Sequence, residues 1–214
     1  MFKYIFFDFD GTLVNSSEGV WNALYYMFDK LKIKYPPKEM MPKFIGPPLT
    51  LSFSEYLGMS VEEAEKAIEV YREYYNTKGC FETEIYGGIE NLLKKIKNSG
   101  RFNVVTSTKP EIMCEKILKE YNIDSLFAAI CGSVSDFDTK AIVIKRAIKK
   151  LRADNLNEVL MVGDRKYDVE GAKEAGIRCA GVKWGFAEKD EFEKAGADFI
   201  VSDVKELEEI IFSN

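Results

Sequence analysis

Short apolar runs alternate along the chain with segments of helical period. Lys3 to Phe7 (KYIFF) is aromatic and β-branched and stops at Asp8, the pattern of a buried strand. Similar runs recur at Phe102 to Val105, Phe127 to Cys131, Val159 to Val162, Ile177 to Val182 and Phe199 to Val201. Between them, Ile89, Leu92, Leu93 and Ile96 trace one helix face closed by Gly100, and a second helix running through Ala172 to Ala175 is closed by Gly176. Strand and helix alternating at this spacing predict a parallel sheet covered on both faces, a doubly wound α/β core.

The alternation breaks over residues 15 to 81, which hold no convincing strand. Helical patterns run from Glu18 to Leu31, Thr50 to Leu57 and Val61 to Asn76, the last opened by a Ser60-x-x-Glu63 capping box. Pro36, Pro37, Pro42, Pro47 and Pro48 punctuate the segments between them. The expected organisation is an α/β domain of residues 1–14 and 82–214, resuming near Tyr86-Gly87-Gly88, with an all-helical domain of residues 15–81 inserted after the first strand.

Composition narrows the chemistry more than the fold. The 214 residues include no histidine, so Ser-His-Asp and Cys-His hydrolases and His-ligated zinc are excluded, and acid-base work falls to carboxylates, lysine, tyrosine or thiols. A net charge of −5 and a pI near 5.1 give a nucleic-acid partner no basic face. No apolar run is long enough to span a membrane, and the first ten residues already contain two aspartates, so a cytoplasmic protein is expected. Cys80, Cys114, Cys131 and Cys179 form no CxxC pair; Cys114 lies in register with Ile117, Leu118 and Tyr121, and all four read as reduced structural thiols.

The candidate chemistry gathers at the ends of predicted strands. Asp8-Phe9-Asp10-Gly11-Thr12 closes the first, where an open α/β sheet has its ligand crevice, and Gly11 allows backbone to approach a ligand. Thr106 follows Val104-Val105, Asp164 and Asp168 follow the strand ending at Val162, and Lys140 opens a helix from Lys140 to Leu151. A cation in the first turn of a helix opposes the macrodipole by about 0.3–1 kcal/mol, so Lys140 calls for an anionic partner. Aspartates converging at about 4 Å would repel by about 4 kcal/mol per pair at an effective dielectric near 20, which a divalent cation relieves. Carboxylate oxygens without histidine or thiolate select Mg²⁺.

This set, Asp8-x-Asp10-Gly-Thr, Thr106, Lys140 and Gly163-Asp164-x-x-x-Asp168, resembles the haloacid dehalogenase (HAD) superfamily over essentially the whole chain. The resemblance implies a Rossmann-like core whose helical insert is a small cap. It also implies Asp8 as nucleophile and Asp10 as general acid and base. Mg²⁺ would be held by Asp8, the Asp10 carbonyl and Asp164, with Asp168 orienting these ligands, and phosphoryl oxygens by Thr106, Ser107, Lys140 and amides near Gly11. The implied reaction is hydrolysis of a small phosphorylated metabolite through an aspartyl-phosphate, with phosphoglycolate phosphatases as the nearest pattern and 5′-nucleotidases or pyrophosphatases as alternatives. Dehalogenases of the superfamily lack an acid at the position of Asp10.

The cap's candidate reading loop is Phe44 to Leu49, with Gly46 and the neighbouring Lys43. β-Phosphoglucomutase-like mutases usually carry arginine three residues after this glycine, and Leu49 stands there instead, which favours hydrolysis over phosphomutase chemistry. Trp21, Tyr25, Tyr26, Phe28, Phe53, Tyr56, Tyr71, Tyr74 and Tyr75 offer rings for a nucleobase, but a small helical cap also needs a core of its own. A phospho-accepting receiver domain shares the acids, the hydroxyl and the lysine, yet lacks an insert after its first strand. A small-molecule partner, no nucleic acid, no membrane, and a monomer or homodimer are the remaining expectations.

Overall fold

The computed structural model of the chain describes residues 1–135 and 138–213. It divides into two compact units, Met1–Val14 with Ile85–Asn214, and Asn15–Glu84. In chain order the elements are β1 (Tyr4–Phe7), β2 (Val14–Asn15), α1 (Ser17–Leu31), α2 (Leu49–Leu57), α3 (Val61–Tyr75), β3 (Glu84–Ile85), α4 (Ile89–Asn98), β4 (Phe102–Pro110) and α5 (Glu111–Glu120). They continue with β5 (Phe127–Ser133), α6 (Lys140–Leu151), β6 (Val159–Gly163), α7 (Lys166–Ala175), β7 (Arg178–Val182), α8 (Glu191–Ala195), β8 (Phe199–Val201) and α9 (Val204–Phe212). No helix among the described residues is long and apolar enough to cross a membrane.

The first unit is the doubly wound sheet, in the order β5-β4-β1-β6-β7-β8 with every neighbouring pair parallel. The all-apolar β1 takes an interior place because Ile5, Phe6 and Phe7 are fully buried between two helical layers. Chain order runs one way from β1 through β4 to β5 and the other way from β6 to β8, so the topological switch point lies between β1 and β6. Phe7 pairs with both Val105 and Val162, so Asp8, Thr106 and Gly163 all emerge one residue beyond the same row of pairs.

Helix ends in this unit are written locally. Thr139 caps α6 by accepting from the Ile142 amide, Asp203 caps α9 through Lys205 and Glu206, and Gly176 ends α7 in the left-handed conformation. Phe6, Val104, Val143, Ile144, Met161 and Val169 pack one face of the sheet together with Cys131 and Cys179. All four cysteines are buried.

The second unit contains α1, α2 and α3 with 3₁₀ segments at Lys38–Phe44 and Gly79–Phe81. The capping box that opens α3 is made in both directions, Ser60 Oγ accepting from the Glu63 amide and the Glu63 carboxylate from the Ser60 amide. Its core is aromatic: Phe28, Phe44 and Phe53 are fully or nearly buried, Phe44 meets Phe53 and Tyr56 edge-on, and Tyr71 stacks on Tyr75. The chain leaves this unit at Glu84, the segment after α3 continuing through Gly79–Phe81 before reaching β3. With β2, β3 forms a two-residue-deep ribbon too short to carry a strand signal in sequence.

Candidate active site

The end of β1 delivers Asp8, the end of β6 delivers Asp164, the first turn of α7 delivers Asp168, and the first turn of α6 delivers Lys140. One carboxylate oxygen from each of Asp8, Asp164 and Asp168 lies within 4.8 Å of the others, and all three residues are buried. Lys140 Nζ stands 2.6 Å from Asp8 Oδ1 and 2.9 Å from Asp168 Oδ1, and donates to the Thr106 carbonyl at 3.2 Å. The anionic partner that Lys140 requires against its helix dipole is therefore a pair of aspartates.

Burial dominates the electrostatics. It raises Asp164 well above the usual carboxylate range, with Asp168 and Asp8 adding to the rise and the Phe186 amide opposing it. Burial also raises Asp168, against the pull of Lys140, to about 6. Burial alone would lower the Lys140 ammonium, but Asp168 and Asp8 outweigh it and hold the lysine charged. The cluster is thus short of positive charge. Asp168 Oδ1 is held by the Lys140 ammonium at 2.9 Å, the same ammonium that pairs with Asp8, so one positive charge serves two buried carboxylates and leaves Asp164 to a hard cation.

Backbone geometry aims these carboxylates. Asp164 Oδ2 accepts from the Phe186 amide at 2.8 Å and Oδ1 from the Thr12 hydroxyl at 3.4 Å. Gly11 sits at φ +82°, and a Cβ there would come within 2.1 Å of Asp164 Oδ2. A side chain at Gly163 would meet Asp168 Cγ at 2.1 Å, and Asp168 Oδ2 accepts from the Arg165 amide at 3.0 Å. The Trp184 indole donates to the Thr12 carbonyl at 3.2 Å, tying the loop after β7 to the turn after β1.

Asp10, Thr106 and Ser107 belong to the same unit as this cluster. Asp10 is only partly buried, and its two carboxylate oxygens are each 3.0 Å from Lys109 Nζ. The buried Thr106 hydroxyl donates toward the Phe7 carbonyl at 3.4 Å and Met161 Sδ at 3.3 Å, so it is the Thr106 carbonyl that meets Lys140. Ser107 is buried and accepts from the Lys109 amide. In the second unit, Lys43 lies in the last turn of the Lys38–Phe44 segment and Gly46 follows it at φ +104°.

Sequence reasoning missed Lys109, Arg165, Tyr86 and the Phe186 amide. Arg165 is buried against Glu191, with Nε 3.0 Å from Oε1, and so stiffens the turn between β6 and α7. Burial raises the Tyr86 phenol, and the negative charges of Asp164 and Asp10 add to that, which keeps its hydroxyl protonated. A cation directly before Pro110 at the end of a strand was the available signal for Lys109. A backbone amide such as that of Phe186 leaves none.

Residues 5–182 match the family model described as haloacid dehalogenase-like hydrolase. The chain belongs to this family. Its solved relatives in the HAD family include a predicted phosphatase from Clostridium acetobutylicum, 38% identical, covering all of both chains with a TM-score of 0.93. A 5′-nucleotidase from Pseudomonas aeruginosa is 31% identical over 98% of this chain and 96% of its own. The tyrosine-protein kinase PtkA of Mycobacterium tuberculosis is 30% identical over 98% of this chain and 72% of its own. Within the family the chain is a hydrolytic phosphatase.

Proposed function

We propose that this HAD phosphatase hydrolyses a small phosphomonoester through a phosphoryl group carried on Asp8, with Mg²⁺ as its metal. The observation that carries the reading is the buried cluster in which Asp8, Asp164 and Asp168 share Lys140. Asp8, Asp164 and Asp168 bring three negative charges against the one positive charge of Lys140, a deficit of two that a divalent cation matches. Asp8, Asp164 and the Asp10 carbonyl would hold Mg²⁺, with Asp168 oriented beside them; the ion supplies Lewis-acid stabilisation of phosphoryl charge.

The Asp8 carboxylate attacks phosphorus, the bond from phosphorus to the alcohol oxygen breaks, and Asp10 gives its proton to the departing alkoxide. Asp10, now a carboxylate, takes a proton from water as the water oxygen bonds to phosphorus. The bond to Asp8 breaks, inorganic phosphate leaves, and both aspartates return to their starting forms. Lys140, Ser107 and amides near Gly11 receive the phosphoryl oxygens, whose charge is stabilised chiefly by fixed electrostatics, while Thr106, its hydroxyl turned onto Phe7 and Met161, contributes through the carbonyl that accepts from Lys140. Lys43 and Gly46 of the insert are assigned to the leaving group, and Leu49, lacking the charge a second phosphate needs, supports hydrolysis over phosphomutase chemistry.

Nucleoside 5′-monophosphates are the first substrates to try, ahead of phosphoglycolate, because the 5′-nucleotidase relative matches nearly the whole of both chains. The experiment is a phosphate-release screen over nucleoside monophosphates, phosphoglycolate, sugar phosphates and pyrophosphate, with Mg²⁺ and with chelator. Release that requires Mg²⁺ and vanishes in Asp8→Asn is the expected result. An aspartyl-phosphate persisting for minutes after exposure to a small phosphodonor would overturn it in favour of a phospho-accepting receiver.

A further inference from the structure

We propose that Lys109 is a positioning residue that fixes the carboxylate of Asp10 for both proton transfers. The inference rests on the assignment of those transfers to Asp10. Lys109 Nζ lies 3.0 Å from each Asp10 carboxylate oxygen, a symmetric grip on a group that must serve first the leaving oxygen and then water.

The lysine is built into this place. Between Thr106 and Pro110, β4 advances four positions while its partner β5 advances only two, from Cys131 to Ser133, so the surplus backbone bulges. Such an irregularity re-aims side chains beside a site. It turns Lys109 inward until its side chain is 5% exposed, with the ammonium 5.6 Å from the centre of the fully buried Phe9 ring. The Lys109 amide donates to Ser107 Oγ, which ties the bulge back on itself. A lysine withdrawn from water this far requires a paired anion, and Asp10 is that anion. Asp10 sits in the turn after β1, and Lys109 holds both of its carboxylate oxygens, so the direction of its side chain depends on Lys109.

The test measures kcat and KM with Mg²⁺ on phenyl phosphate, whose phenolate must be protonated to leave well, and on p-nitrophenyl phosphate, whose leaving group needs less help. Lys109→Met should lower kcat on phenyl phosphate about tenfold to a hundredfold, part of the 10²–10⁴ typical of a positioned proton-transfer group. KM should stay within about twofold, the loss on p-nitrophenyl phosphate should be smaller, and Lys109→Arg should recover most of the rate. In an Asp10→Asn background the same substitution should change kcat by less than about twofold. If Lys109→Met does not fold, Lys109→Gln enters the same cycle. An unchanged kcat, a rise in KM alone, or an equal loss with and without Asp10 would overturn the inference. Absence of Mg²⁺-dependent turnover in the parent protein, or turnover retained in Asp8→Asn, would instead overturn the phosphatase mechanism beneath it.

Discussion

Lys140→Met removes the ammonium that Asp8 and Asp168 share. At 2.6 and 2.9 Å each attraction amounts to about 6 kcal/mol for an effective dielectric near 20, and withdrawing the ammonium from water offsets most of it. The deletion nevertheless leaves three buried carboxylates with oxygens within 4.8 Å, repelling by about 3.5 kcal/mol per pair at the same dielectric. The expected net loss is about 3–5 kcal/mol, the range for breaking a buried pair from one side, against a total stability of about 5–15 kcal/mol. Urea denaturation in chelator at pH 7.5, followed by circular dichroism, should move the midpoint down by more than about 1 M for a slope of 2–3 kcal/mol per M. Mg²⁺ should narrow the gap between variant and parent, because a cation takes over part of the lost charge. A loss under about 1 kcal/mol in chelator, or an equal loss with and without Mg²⁺, would refute the charge accounting.

Four further outcomes follow from the same geometry. Asp8→Asn should abolish phosphate release and raise metal-free stability, since it deletes a like charge without opening a cavity; calorimetry beside a phosphate assay checks both. Gly11→Ala should weaken Mg²⁺ binding at least tenfold by titration calorimetry, because its Cβ overlaps Asp164 at φ +82°, and should cost about 1–2 kcal/mol for the left-handed backbone. Asp168, raised to about 6, and Asp164, raised by the same burial, bind protons more tightly folded than unfolded. Their contribution to metal-free stability is fullest below about pH 4 and is lost as pH rises through about 6, so the urea midpoint in chelator should be higher at pH 5 than at pH 7. A flat profile there would contradict it. Ser60→Ala should cost about 1 kcal/mol through the lost cap of α3, with no change in kcat.

The route from sequence to site ran through residues that break a local rule. Asp8 ends an all-apolar run, and Lys140 opposes its own helix dipole; each is legible because one element and its period define what is out of place. Asp164 and Asp168 follow similarly from a strand end and the first turn of a helix. The cation before Pro110 marks Lys109 in the sequence, but its burial was not legible, since that depends on a register shift between β4 and β5 that only the assembled sheet defines. The inward turn of the Thr106 hydroxyl onto Phe7 and Met161, and the Phe186 amide on Asp164, are likewise contacts across strands, one of them made by a group every residue possesses. In the insert, the aromatic residues were readable as packing, whereas ribbons two residues deep lie below the resolution of any periodic signal.

The register that gathers the aspartates also sets the order in which the molecule can be made. β1 lies between β4 and β6, and Tyr4 pairs with Phe102 and with Val159. At about 5–20 residues per second, the nascent chain presents Asp8 on the order of ten seconds or more before β6 can flank it. The contiguous Asn15–Glu84 unit has local partners and can fold in that interval, while KYIFF waits for strands not yet synthesised. The reactive centre is therefore among the last parts of the protein to exist, and the nascent chain passes about half of its synthesis before β4 exists to pair with β1.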